Sequence, residues 1–174
     1  NFILLITLLF SVKAFIDARF LAIFFSGRDI LRTDLEIELL ISFGASFLII
    51  WIFTVILFFL NKLFGLKTRL RDNNAVIIYS LMPYSFALIV LFPIELIIFG
   101  QYLFSNNPSP FVLKPAIAFT LLTFESLLIL WGVFLSLTGV YAISRNAVYS
   151  IVLGLILNFY LSCFVFLLSV FLFI

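Results

Sequence analysis

Lys13, Asp17, Glu95 and Glu125 stand where charge is expensive, each inside a long apolar run. An ionisable side chain at the centre of a hydrocarbon layer costs about 2.5–3.5 kcal/mol or more, so it turns towards protein or water and takes a partner. Two kinds of chemistry suit this set. Lys13 paired with one or more of the acids makes a structural ion cluster, whereas an acid left wet and protonatable makes a proton or substrate path. The structural pairing is the preferred reading.

Other chemistry is poorly supplied. The chain has no His and a single Cys, which removes the usual ligands for zinc, copper or haem, and neither a metal nor a cofactor is expected. Cys163 has no basic neighbour to lower its pKa and reads as a packing residue. No Gly-x-Ser-x-Gly elbow, Gly-rich phosphate loop or Walker ending occurs. Glu95 with Glu125 is the one pair an intramembrane acid catalyst would have, so a non-enzymatic protein is expected. The 10 basic and 8 acidic residues form no basic patch interleaved with aromatics, and no nucleic-acid partner is expected.

The elements that must position these residues follow from composition. Of 174 residues, 66% are hydrophobic and 10% charged, with a mean hydropathy of +1.36. A soluble domain of this size needs about 25% charged residues to cover itself, so that class is excluded. Crossing a hydrocarbon core of roughly 30 Å takes about 20 apolar residues as a helix. Residues 2–25, 39–60, 75–104, 115–143 and 147–174 qualify, which predicts one all-α domain over 1–174, a polytopic bundle of five transmembrane helices. The runs are continuous rather than alternating, which excludes barrel strands. The first run has no basic segment before it and no small-residue cleavage site after it, so it reads as a span rather than a signal peptide, with a polar N-terminal segment expected ahead of it.

Within the third span, Pro83 and Pro93 each remove a backbone donor and predict kinks. If helical phase survives them, Tyr84, Glu95 and Tyr102 share one face. On the fourth span Glu125, Gly132, Ser136 and Gly139 fall in one stripe at about 100° per residue, and small residues there allow close helix contact. Gly154, Asn158, Ser162 and Ser169 repeat the pattern on the fifth span, which reads as a packing face. The lipid bilayer and either other integral membrane subunits or a second copy of the chain are the expected partners.

Orientation follows from the short connections. Lys62, Lys67, Arg69 and Arg71 after the second span, and Arg145 after the fourth, lie on one side. Arg28, Arg32 and Lys114 lie on the other, diluted by Asp29, Asp34, Glu36 and Glu38. The positive-inside rule then places the N-terminus in the cytoplasm and the C-terminus outside. Residues 62–71 thereby become a cytoplasmic basic loop, a topology anchor that is also open to anionic lipid or a soluble partner. Arg28, Arg32 and Glu36, spaced by four, read as a solvated helix end. Residues 105–114, with Asn106, Asn107, Pro108 and Pro110, read as an external loop without helix.

The order of features is itself informative: a Lys-rich loop, then Ala75-Val76-Ile77-Ile78-Tyr79-Ser80-Leu81-Met82-Pro83-Tyr84, then Leu130-Trp131 through Gly139, then Ser144-Arg145-Asn146-Ala147. In this order the chain from Leu39 to Ile174 resembles the Yip1 domain family. The resemblance implies five spans, a cytoplasmic N-terminus and no catalytic residues. The acidic element that eukaryotic members carry before the first span is missing, so the chain is more similar to bacterial members. Those resemble accessory or scaffold proteins, some associated with ABC-type exporters. The expected function is therefore a scaffold or accessory subunit of a transporter complex in the bacterial inner membrane, joined to its partners through the small-residue faces. The alternative is a small proton- or ion-coupled transporter or channel subunit that uses Glu95 and Glu125.

Overall fold

A computed structural model describes residues 2–26 and 35–173. They form α1 (Phe2–Ser26), α2 (Leu35–Leu63), α3 (Leu70–Phe99), a 3-10 turn (Gly100–Phe104), the one-turn α4 (Pro110–Leu113), α5 (Pro115–Ser144) and α6 (Ala147–Phe173). No strand occurs among the described residues. Four helices, α2, α3, α5 and α6, are long and apolar enough to cross a membrane, as an integral membrane protein requires. α1 is of similar length but carries Lys13, Asp17 and Arg19. The outside of the bundle is as apolar as its inside: Leu40, Ile97, Val112 and Phe171 are each more than 70% exposed. Helices that are apolar all round belong in lipid.

Helix boundaries depart from the apolar runs in ways local chemistry explains. α2 begins four residues before its run and takes in Glu36 and Glu38 in its first turn, where carboxylates meet the positive end of the helix dipole. It ends at Gly65, whose φ is 73°, with Gly65 N–H donating to Lys62 O at 3.0 Å and Leu66 N–H to Asn61 O at 2.9 Å. This is the Schellman pattern, and it needs a left-handed residue. α3 likewise starts early, at Leu70, because the Asp72 carboxylate accepts the Arg69 N–H at 3.1 Å and caps the helix. The expected loop 105–114 contains the helical turn Pro110–Leu113, a correction. Pro110 stands at its first position, where the missing N–H leaves nothing unpaired.

α3 runs unbroken through Pro83 and Pro93, so neither proline divides it into half-helices. Its α-helical phase stops at Phe99. Tyr102 therefore sits in the 3-10 turn and is exposed, and the expected face shared by Tyr84, Glu95 and Tyr102 loses its third member. The expected helix end at Arg28 and Arg32 lies outside the described residues.

The bundle is held at two places. The main core includes Phe10, Leu57, Ile77, Ile78, Val140 and Leu157, and a smaller one under the 3-10 turn includes Ala87, Phe99, Leu103 and Leu121. α1 packs against α2, α3 and α6 along Ser11, Ala14, Ala18 and Ala22, all within 1% of complete burial. α5 packs against α3 and α6 through the residues of its small stripe. A Cβ at Gly132 would come within 2.8 Å of the Ser80 carbonyl oxygen, and one at Gly139 within 2.9 Å of Val76. Ser136 is completely buried. From α6, Gly154 meets Leu137 of α5 and the Asn158 amide donates to Ser136 Oγ at 2.7 Å. These small residues all make contacts inside the molecule, with Gly132, Ser136 and Gly154 buried and Gly139 and Asn158 half-buried.

Gly132→Ala puts a methyl group against backbone and should destabilise by about 1–3 kcal/mol, as overpacking does. Gly44→Ala meets nothing within 4 Å and should be neutral or stabilise by up to about 1 kcal/mol. Thermal melts of the two variants in mild detergent check the contrast; equal melting temperatures would show that the α3–α5 approach is looser than the structure has it.

Candidate functional site

The four charged residues of the apolar runs converge on one cavity. It has a volume of about 80 Å³ and is lined by Lys13 and Asp17 of α1, Glu95 of α3 and Glu125 of α5. Lys13 lies on the buried face of α1, one residue before Ala14, and the antiparallel α3–α5 pair brings Glu125 towards it. α1 and α5 are not closely packed along their backbones; the Lys13 side chain and the cavity fill the space between them. Phe99, Phe104 and Phe111 contribute the apolar wall, so the 3-10 turn and α4 close the cavity at that end of the bundle.

Lys13 is 5% exposed. Its ammonium donates to Asp17 Oδ1, one helical turn along, and to Glu125 Oε1 across the cavity. Asp17 Oδ2 in turn accepts the Tyr84 hydroxyl. The Tyr84 ring centroid lies 5.4 Å from Lys13 Nζ, close enough for a cation–π contact, and the ring packs on Phe10. The two paired carboxylates keep some contact with the outside, at 24% and 22% side-chain exposure. Glu95 is half-buried on the same cavity, without an ion pair or hydrogen bond among the described residues.

The charges do not balance. Three carboxylates and one ammonium line the cavity. Arg19 stands behind its wall, 5.3 Å from the Phe104 ring centroid, and acids still outnumber bases when it is counted. Among the described residues no three acidic, Cys or His side chains are grouped closely enough to hold a metal ion. Glu95 stands outside the chain of ion pairs that joins Lys13, Asp17 and Glu125.

A second polar group lies near the other end. Asn61, completely buried, donates from Nδ2 to Asn73 Oδ1 at 2.6 Å and accepts the Tyr149 hydroxyl at 2.7 Å. Asn73 also donates to the Arg69 carbonyl at 2.9 Å, and the Asn74 amide donates to Thr54 Oγ1 at 3.3 Å. These bonds tie the α2–α3 turn to α6. Sequence reasoning passed over them, although Asn61 and the Asn73-Asn74 pair flanking a basic turn carried the signal. It also passed over the Ala14, Ala18, Ala22 repeat, a small-residue stripe at four-residue spacing, and the pairing of Tyr84 with Asp17.

The remaining sequence-predicted residues are placed as follows. Lys62, Lys67, Arg69 and Arg71 are all exposed around the α2–α3 turn. Ser162 hydrogen-bonds back to the Asn158 carbonyl at 2.9 Å. Ser169 is completely buried, and its hydroxyl has no hydrogen-bond partner among the described residues. Cys163 is a half-buried free thiol. Comparison with protein families, curated proteins and solved structures found no match to the chain, so geometry carries the functional reading.

Removing the ammonium while both carboxylates remain leaves charge uncompensated, which in a buried pair costs about 3–5 kcal/mol. The partial exposure of Asp17 and Glu125 reduces this, and Lys13→Met should destabilise by about 2 kcal/mol. The triple variant Lys13→Met, Asp17→Asn, Glu125→Gln should recover at least half of that loss. Melts in detergent at neutral pH test this; a triple variant no more stable than Lys13→Met would mean that the cluster is held by packing rather than charge.

Proposed function

We propose that the chain is a small proton-coupled carrier or channel subunit of a membrane, with Glu95 as the exchanging acid and Glu125 held in reserve by Lys13. The carrying observation is the excess of carboxylates over cations around one cavity inside a bundle of lipid-compatible helices. α1 is counted as the fifth span: the charges that set it apart from the other helices include Lys13, which is turned inward and paired, so the cost of carrying it across the bilayer is met within the protein. The exposed basic turn 62–71 supports a cytoplasmic N-terminus and an extracytoplasmic C-terminus by the positive-inside rule, in a bacterial inner membrane. The carboxylate cavity then lies in the outer half of the bilayer.

The accessory-subunit reading, with its Yip1-like order of features, is supported by a different observation. Lys62, Lys67, Arg69 and Arg71 are exposed together, and none of them forms an ion pair among the described residues. The small-residue faces also pack within the molecule. A subunit of this kind would be recruited through the basic turn, to anionic lipid or to a soluble partner.

Purified protein in liposomes with a trapped pH dye separates the two. Wild type should pass protons down a pH gradient, and Glu95→Gln should lower the rate tenfold or more without lowering the melting temperature. Undetectable flux in wild type would overturn the carrier reading. Stoichiometric transporter subunits co-purifying from native membranes, and lost on reversing the charges of the basic turn, would establish the accessory one.

A further inference from the structure

The acid cavity has a neighbour in the bundle. A second, of about 90 Å³, is lined by Phe10, Ser80, Tyr84, Gly132, Asn158 and Ser162, among others. Tyr84, at the midpoint of α3, belongs to the wall of this second cavity, while its hydroxyl reaches Asp17 on the wall of the first. Among the described residues no other side chain of the second cavity hydrogen-bonds to a side chain lining the first. Each cavity is large enough for water, which needs roughly 10–15 Å³ of such space per molecule and two or more polar partners. Ser80, Asn158 and Ser162 provide polar partners in the second, and Asp17, Glu95 and Glu125 provide them in the first.

Polar groups continue beyond the second cavity. The Asn158 amide that lines it donates to Ser136 Oγ and to the Gly154 carbonyl, both at 2.7 Å. One turn further along α6, the Ser150 hydroxyl donates to the Leu137 carbonyl. The adjacent Tyr149 hydroxyl joins Asn61 and Asn73 beside the α2–α3 turn.

We infer that Tyr84 is the relay between the two cavities, the single hydroxyl through which a proton passes from the outer carboxylates to the middle of the bundle. The inference rests on the proton-coupled reading above. In the step itself the Tyr84 oxygen loses one proton and gains one: the hydroxyl proton goes to the acceptor on one side while a proton arrives from the donor on the other. Asp17 is the partner towards the first cavity and a water held by Ser80 or Ser162 the partner towards the second. One O–H bond breaks and one forms, and the phenol is unchanged after each transfer. Lys13 over the ring and Phe10 against it hold the side chain in register. The charged or titratable groups around the relay are Lys13 and Asp17 from α1, Glu95 from α3 and Glu125 from α5, with Arg19 behind Phe104.

Tyr84→Phe removes the hydroxyl and keeps the ring. In liposomes it should lower proton flux tenfold or more, while the infrared carboxylic-acid band of the outer cluster still responds to external pH as in wild type. That retained response also reports that the variant is folded. Ser162→Leu, which places a large side chain in the second cavity without touching the first, should do the same. Flux within twofold of wild type in both variants would overturn the relay and leave the carrier reading standing. A wild-type protein with neither flux nor a pH-responsive carboxylic-acid band would overturn the carrier reading and the relay with it. Loss of the pH response together with flux in both variants would show that Tyr84 and Ser162 only maintain the cluster, which also overturns the relay.

Discussion

An ammonium group buried in a bundle of apolar helices has to be neutralised by the protein, because neither lipid nor bulk water is at hand to do it. Lys13 sets that constraint here, and much of the arrangement answers it. Asp17 is one turn away on the same helix, Glu125 reaches across from α5, and Tyr84 from α3 completes the second oxygen of Asp17. Three helices are thereby tied at one point. The tie also explains why α1 and α5 stand apart: a Lys side chain and a cavity occupy the space a direct backbone contact would have filled. Glu95 adds a further carboxylate to the same cavity, without an ion pair among the described residues.

Around this point the packing is divided by residue size. Where backbones must approach, the contact residues are Gly, Ala or Ser: Ala14, Ala18 and Ala22 on α1, Gly132 and Gly139 on α5, Gly154 on α6. In lipid there is no hydrophobic force between helices, so close van der Waals contact and interhelical hydrogen bonds have to hold them. The Asn158–Ser136 and Asn61–Asn73 bonds serve that purpose. Large apolar residues such as Trp131 and Phe134 are turned outward instead, where acyl chains are as good a solvent as any side chain.

The two polar zones lie at different depths. The carboxylate cavity is capped by the 3-10 turn and α4, whereas the Asn61–Asn73–Tyr149 group is set beside the basic turn. Tyr84 stands between them, at the middle of its helix. The accessory role suggested by the order of sequence features draws on a separate part of the molecule, the exposed Lys and Arg of the α2–α3 turn.

Helical class, lipid-compatible surfaces and the location of most spans were legible in the chain, because in a membrane apolar length and composition act locally and almost independently of neighbours. Glu95 and Glu125 were legible as candidates for the same reason: a carboxylate in an apolar run stands out without any knowledge of its partner. What depends on the juxtaposition of helices was not. Periodicity put Gly132, Ser136 and Gly139 on one face but could not say whether that face met this chain or another, and it is α3 and α6 that occupy it. It grouped Tyr84 with Glu95 but not with Asp17, since that pairing needs the rotation of α1 against α3. Length and polarity decided what each segment is; which acid Lys13 takes, which it leaves free, and the two cavities that meet at Tyr84 were decided only by the packing of the helices, because rotation and depth are set by contacts between segments distant in the chain.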